Sequence, residues 1–400
     1  MLQFFSASTN IVNSKRAITE CLENALEGQD NLDCGLIIIY SAIGHNFKEI
    51  LTEAHKMSPN ARITGCTGAG IIGREGPSES LKALAIIAVK GSKEEFALAG
   101  IRSTQEMDSF EIGARLANDL KNSNSGINMI HFLPSAYGLW PADKAIAGIE
   151  SVFGPDVPVF GGVSFDNMRS VSSFQFMDDQ VFEKGAVAIG FADPTLKIAI
   201  RASHGFHVME GLTLEVTKCD GNRVIEFNHR PAWKVLTETL GLPATANPME
   251  VLILTAFARV LPEEYVQEYN NKFILSGIVG NNEDDSITVP VAYHEGLKIW
   301  LTKRDEKNMF DGVDYLSKSI LDVLEDAKPL AVFHADCVLR GKLSLNKILK
   351  DEIINRMQAP ICGAEKIPWL GLYSAGEFVR IGGKNFFNFI TSALFVIYRE

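Results

Sequence analysis

The run Asp336-Cys337-Val338-Leu339-Arg340 is followed by Gly371-Leu372-Tyr373-Ser374-Ala375-Gly376-Glu377, and then by Asn385, Asn388 and Thr391 ahead of a closing apolar stretch. Cysteine, arginine, glutamate and asparagine recur here at the edges of segments that otherwise read as buried sheet. A polar group in such a place costs free energy unless something satisfies it. Either the protein completes an internal network or a bound small molecule does. The surrounding pattern predicts strand, helix, strand and strand over 330–335, 345–357, 369–373 and 390–398.

Outward from this region the same texture continues. Residues 34–42 form an unbroken apolar run, as in a sheet covered on both faces. Helical spacing over 10–26, 46–57, 110–120 and 142–153 alternates with strand-like runs at 2–7, 62–67, 82–90, 95–101, 128–133 and 157–160. Gly91-Ser92-Lys93-Glu94 reads as a hairpin between two of these strands. The middle of the chain is richer in short strands, with a meander expected over 273–301. No short internal repeat is evident. The expected class is α+β, with two domains of mixed, largely antiparallel sheets flanked by helices, divided as 1–227 and 228–400.

Composition excludes several functions. The 400 residues are 46% hydrophobic and 22% charged, an ordinary globular balance, with a formal charge of -11. Such a chain repels nucleic acid and anionic lipid unless it carries a basic patch, and none is apparent. No apolar run reaches the roughly 18 residues of a membrane span, so no membrane insertion is expected. Met1-Leu2-Gln3-Phe4-Phe5 lacks a basic leader, and six scattered cysteines fit a reducing compartment. A cytoplasmic protein is the expectation. Metal motifs of the H-E-x-x-H, C-x-x-C or calcium-loop kind are missing.

Gly68-Ala69-Gly70-Ile71-Ile72-Gly73 spells G-x-G-x-x-G, but a dinucleotide site needs a helix directly after the glycines. Arg74-Glu75-Gly76-Pro77-Ser78 reads as a loop. Arg340 has the planar fork of a carboxylate clamp, with Glu377 as an alternative partner inside the protein. Cys337 beside Arg340 admits a third reading, a thiol-dependent enzyme, although no partner spacing supports a catalytic dyad.

The order of pieces resembles the FIST family, which has an N-terminal and a C-terminal FIST domain. The resemblance rests on Gly65-Cys66-Thr67-Gly68-Ala69-Gly70-Ile71, on Val159-Phe160-Gly161-Gly162-Val163-Ser164-Phe165-Asp166 and on Gly185-Ala186-Val187-Ala188. It continues through Ser203-His204-Gly205, Glu215-Val216-Thr217 and Pro231-Ala232 to Cys337 with Arg340, the run 371–377, and Asn385, Asn388 and Thr391. The resemblance implies a sensory, small-ligand-binding, non-enzymatic protein. Amino acids or similar carboxylate metabolites are the ligands suggested for the family. A branch of free-standing FIST proteins binds haem, senses nitric oxide and acts on partner histidine kinases, and a chain with both domains and no output domain looks like that branch. A homodimer is also compatible with it.

These implications name residues. A ligand pocket would draw on Cys337, Arg340, Tyr373, Glu377 and Asn385. Haem would need one neutral imidazole on its iron, an apolar slot and cations near the propionates. His207 is the first candidate ligand to the haem iron, then His204, then His131, although a single histidine is more often a hydrogen-bonded structural residue. His204 falls in a stretch common to the family, which leaves His207 less explained by the fold.

Overall fold

The computed structural model describes residues 1–342 and 344–399. Its fold is α+β, with mixed sheets flanked by helices, as the sequence predicts. The organisation of those sheets is a three-fold repetition that the sequence conceals. Unit one runs Gln3–Thr9, helix Ser14–Ala25, Cys34–Ser41, helix Phe47–Met57, Arg62–Thr67, a hairpin of Ile71–Gly73 and Gly76–Ser78, and Leu84–Lys90. Unit two repeats this order with Phe96–Ile101, Ser109–Ser123, Met129–Pro134, Ala142–Phe153, Val159–Gly162, the hairpin Phe174–Met177 and Gln180–Glu183, and Ala186–Phe191. Unit three has Lys197–Ser203, Glu306–Leu324, Pro329–Cys337, Lys347–Cys362, Trp369–Ser374, the hairpin Glu377–Ile381 and Lys384–Asn388, and Ser392–Tyr398. Between its first strand and first helix lies a long insertion carrying an eight-stranded sheet of its own.

Each unit gives its hairpin away. The hairpin of unit one extends the sheet of unit three, that of unit two extends unit one, and that of unit three extends unit two. The units are thereby locked in a ring. The expected boundary at 227/228 falls inside the insertion, and all three ring sheets draw strands from more than one unit.

The helices of each unit cover the outer face of its sheet, and the inner faces meet in one shared core. That core joins Leu36, Ile38 and Tyr40 of unit one to Phe160 and Val187 of unit two and to Phe333 and Phe395 of unit three. Residues 34–41 are therefore buried on both faces, which explains their unbroken apolar run. Where the two parallel strands of a unit pair, Gly65, Gly161 and Gly371 hold one equivalent position. A Cβ at Gly65 would stand 1.9 Å from the Ile39 carbonyl oxygen, and one at Gly161 would stand 2.4 Å from that of Phe132. Both have positive φ, 142° and 136°, which only glycine adopts without strain.

Two local expectations are corrected. Residues 91–94 do not close a hairpin: Ser92 caps a short 3-10 turn that carries the chain from the sheet of unit one to that of unit two. Strands Phe273–Ser276, Ile287–Thr288 and Lys298–Arg304 do not form a meander, because each pairs elsewhere in the insertion's sheet. After the glycines at 68–73 comes the donated hairpin, with no helix to receive a pyrophosphate. Among the described residues no helix is long and apolar enough to cross a membrane.

Candidate functional site

The three glycine-bearing motifs at 65–71, 159–166 and 371–377 are equivalent strand ends that meet one another. Ala69 N–H donates to Tyr373 O at 3.0 Å, Phe165 N–H to Thr67 O at 3.2 Å, and Ala375 N–H to Val163 O at 3.0 Å. This closed triangle aligns Ala69, Phe165 and Ala375 as counterparts.

Beside it, at the carboxyl ends of the parallel strands of units two and three, lies a cavity of about 640 Å³. Carboxyl ends of parallel strands are where open α/β sheets commonly hold ligands, because the diverging loops leave space there. Unit two lines it with Ala136, Tyr137, Gly138, Trp140 and Phe165; unit three with Cys337, Val338, Leu339, Ala375 and Phe389. The insertion adds Asn247, Met249, Leu252, Ile278 and Val279. The rings of Tyr137 and Phe165 are 14° from parallel with centroids 6.4 Å apart. Burial, reinforced by the Asp166 carboxylate, raises the Tyr137 phenol above its ordinary range and keeps it neutral. Asp166 itself is saturated: it accepts the backbone N–H groups of Arg169, Ser170, Val171 and Ser172 at 2.7–3.3 Å. It thus shapes the loop that brings Ser170 to the cavity.

Of the five residues expected around a ligand, Cys337 lines this cavity and Arg340, Tyr373, Glu377 and Asn385 do not. Strand alternation explains the separation, since successive side chains point to opposite faces. Asp336 pairs in register with Tyr373, and Cys337 with Ser374. Arg340 Nε donates to Asp336 Oδ1 at 2.7 Å, and both side chains are 1% exposed. Burial raises Asp336 to about 6 despite the attraction of Arg340. Glu377 does not pair with Arg340. It accepts from Ser374 Oγ at 2.8 Å and from Thr391 Oγ1 at 2.7 Å, and burial raises it to about 8. Asp336, Arg340, Ser374, Glu377 and Thr391 thus bond to one another in the wall behind the cavity, while Arg340 Nη2, the Tyr373 hydroxyl and the Asn388 amide are buried there with no hydrogen-bond partner among the described residues.

Asn385 is a clasp. Its Oδ1 accepts from Val159 N–H at 3.0 Å, and its Nδ2 donates to Glu150 Oε1 at 2.9 Å and Val157 O at 3.1 Å. These bonds fasten the donated hairpin of unit three to unit two. Asn385→Ala is expected to destabilise the protein by about 1–3 kcal/mol, because it strands partly buried partners. Ligand affinity per folded molecule should stay unchanged, as read by urea unfolding beside a binding titration.

Two of the three candidate histidines are already engaged inside the protein. His204 is buried, with Nε2 on the Phe273 carbonyl at 3.0 Å and Nδ1 accepting the Phe206 N–H at 3.2 Å, so neither nitrogen keeps a lone pair for iron. Burial lowers it to about 4 and holds it neutral. His131 sits in the shared core, 2.7 Å from the Tyr40 hydroxyl and with the Phe160 and Phe333 rings each 4.7 Å away. Burial lowers it to about 3, and iron there would require opening the core. His207 is half-buried and lines a separate depression of about 650 Å³, whose wall mixes Phe206, Val208, Val266 and Phe273 with Gln267, Asn271, Lys272 and Asp311. A porphyrin slot there would have to form around those four polar side chains.

Burial lifts the Cys337 thiol well above its ordinary range, and the nearby Glu377 adds to the effect. A nucleophilic cysteine needs the reverse. Tyr137, Trp140, Phe165 and Ala375 escape sequence reasoning as site residues. The available signal was the aromatic loop 137–140 directly after a fully buried strand.

Comparison with known proteins now places the chain. The FIST N domain matches residues 35–230 and the FIST C domain matches residues 232–380. The chain belongs to the FIST family. FIST domains are small-ligand-binding sensory modules. Comparison with curated protein sequences detects no relative. Among solved structures, cyanuric acid hydrolase from A. caulinodans is 8% identical with a TM-score of 0.38, covering 100% of this FIST protein and 99% of that chain. A second cyanuric acid hydrolase is 11% identical with a TM-score of 0.33 and complete coverage of both chains, 100% each. PurL of T. maritima complexed with AMPPCP is 10% identical with a TM-score of 0.23, covering 100% of this chain and 72% of that one. Likeness of this degree assigns neither substrate nor reaction to the FIST protein.

Proposed function

We propose that this FIST protein is a non-enzymatic receptor whose ligand occupies the cavity between units two and three. The observation that carries this reading is the cavity itself: about 640 Å³, lined by two units of the ring and by the insertion. That volume lies within the range of roughly 300–1,000 Å³ found for small-molecule sites. A ligand touching all three bodies biases their relative arrangement, and a sensor requires two states of different partner affinity. Arg304 supplies one link, since its guanidinium ends the insertion's last strand and donates to the Leu339 carbonyl in the cavity wall at 3.3 Å. A histidine kinase is the partner the family resemblance offers.

The test exploits the internal symmetry. Ala375 lines the cavity, and its counterpart in unit two is Phe165, so the fold already accepts phenylalanine at this position. A metabolite library screened by thermal shift should yield ligands that raise the melting temperature of the wild type by several degrees at saturation. Ala375→Phe should keep its basal stability and lose the shift. Ligands that stabilise both forms equally would remove the cavity from the reading.

The haem and nitric oxide version makes a separate demand. His207 is the one of its three histidines whose ring has no hydrogen bond among the described residues. Titration with haemin is expected to give no sharp Soret band. A sharp band that shifts with nitric oxide and vanishes in His207→Ala would establish haem sensing instead.

A further inference from the structure

We infer that the ligand of this cavity is an uncharged molecule with a planar apolar body, held among aromatic rings, with its polar edge at the mouth. The inference rests on the receptor reading and narrows it to a chemical class. It departs from the amino-acid or carboxylate ligand that the family resemblance implies.

The first observation is charge. Among the described residues no lysine, arginine, histidine, aspartate or glutamate lines the cavity. The charged groups stand behind the wall and not in it. Asp166 is filled by four backbone N–H groups, Arg340 Nε is held by Asp336 and Arg304 donates to the Leu339 carbonyl, while Arg340 Nη2 and Arg304 Nε are buried with no hydrogen-bond partner among the described residues. Lys184 lies over the Tyr137 ring, 5.4 Å from its centroid. An ammonium or carboxylate entering the body of the cavity would lose its hydration with no counter-charge to replace it, a penalty far larger than one hydrogen bond recovers.

The second observation is shape. Tyr137 and Phe165 present nearly parallel rings, and Trp140 and Phe389 add two more aromatic surfaces. Offset stacking and edge contacts on such walls favour a flat partner over a branched aliphatic one. The third is the distribution of polar groups. Gln105, Ser170 and Asn247 are exposed residues, so the hydrogen-bonding groups collect where the cavity opens. Among the described residues the buried wall offers few donors: the weak thiol of Cys337 and the neutral Tyr137 hydroxyl, whose oxygen is buried without a hydrogen-bond partner. An apolar plane therefore enters first and a neutral amide, hydroxyl or carbonyl stays at the rim.

Matched probes test this. Full-length protein would be titrated with indole, indole-3-acetamide, indole-3-acetate and L-tryptophan at pH 7, by calorimetry and by thermal shift. The two neutral probes should bind at least tenfold more tightly than the anion and the zwitterion, and Ala375→Phe should abolish that binding. If the acetate or tryptophan binds as tightly as the neutral probes and Ala375→Phe abolishes it, the class is wrong and the receptor reading survives. If no probe binds, the class is wrong; if a probe binds and Ala375→Phe changes nothing, the receptor reading falls with it.

Discussion

Replacing Arg340 with methionine should destabilise this FIST protein by about 3–5 kcal/mol, the usual consequence of removing one partner from a buried ion pair. The guanidinium and the Asp336 carboxylate are each 1% exposed and 2.7 Å apart. Without Arg340 the carboxylate is left in the wall with no cation, and it must take up a proton to stay there. Its folded pKa, already raised to about 6, then rises further. A raised carboxyl binds its proton more tightly folded than unfolded, so its stability contribution falls as pH rises. The variant should therefore lose more stability between pH 5 and pH 8 than the wild type does. Asp336→Asn combined with Arg340→Met should recover much of the loss, because no buried charge remains. Urea unfolding at several pH values measures all three proteins. Were Arg340→Met to leave stability within 1 kcal/mol and weaken ligand binding instead, Arg340 would be a clamp after all.

The second large effect concerns Glu377, whose environment the protein has built twice. Gln175 occupies the equivalent position in unit two: it pairs with Cys66 as Glu377 pairs with Gly162. Gln175 Nε2 donates to Ser164 Oγ at 3.0 Å and its Oε1 accepts the Gly185 N–H at 2.6 Å. Glu377 bridges Ser374 and the Thr391 N–H in the same way, with a carboxyl in place of the amide. Burial raises that carboxyl from 4.5 to about 8, so the folded protein holds a proton that the unfolded chain has released. Its stabilising effect is complete below about pH 4.5 and is lost as pH climbs towards 8. At about 1.4 kcal/mol per unit, the loss is on the order of 3–5 kcal/mol. Glu377→Gln carries no such proton and has a working template in unit two. It should match the wild type near pH 4.5 and exceed it at pH 8.5 by a few kcal/mol in denaturant titrations. Parallel stability curves for the two proteins would contradict a neutral buried Glu377.

Both effects belong to residues that looked, in the sequence, like contacts for a guest. The reasoning that polar side chains at strand edges need partners was sound, and a cavity does adjoin them. The step that failed was assigning those side chains to the cavity. One residue along a strand reverses the face, so Cys337 borders the void and Asp336, with Arg340 bound to it, does not. Asn385 failed differently: it supplies hydrogen bonds to the edge of another unit, a partner 226 residues away in the chain at Val159.

Local patterning was enough for most individual elements. Strand Arg62–Thr67 and helix Ala142–Phe153 occupy the expected residues, because hydrophobic periodicity and capping act over a few neighbours. The short donated strands Ile71–Gly73 and Gly76–Ser78 went unread, since they draw their stability from a sheet formed by Lys197–Ser203 and by strands within 329–398. The three-fold ring was equally hidden. Its units share an order of elements and a glycine at each parallel pairing, while nearly every other side chain has diverged. Which sheet accepts which hairpin, and hence where the ring leaves a cavity, is settled by long-range pairing and by burial shared among all three units. No window of the chain contains those interactions, so composition and period identified the material of this FIST protein and only its packing located the cavity.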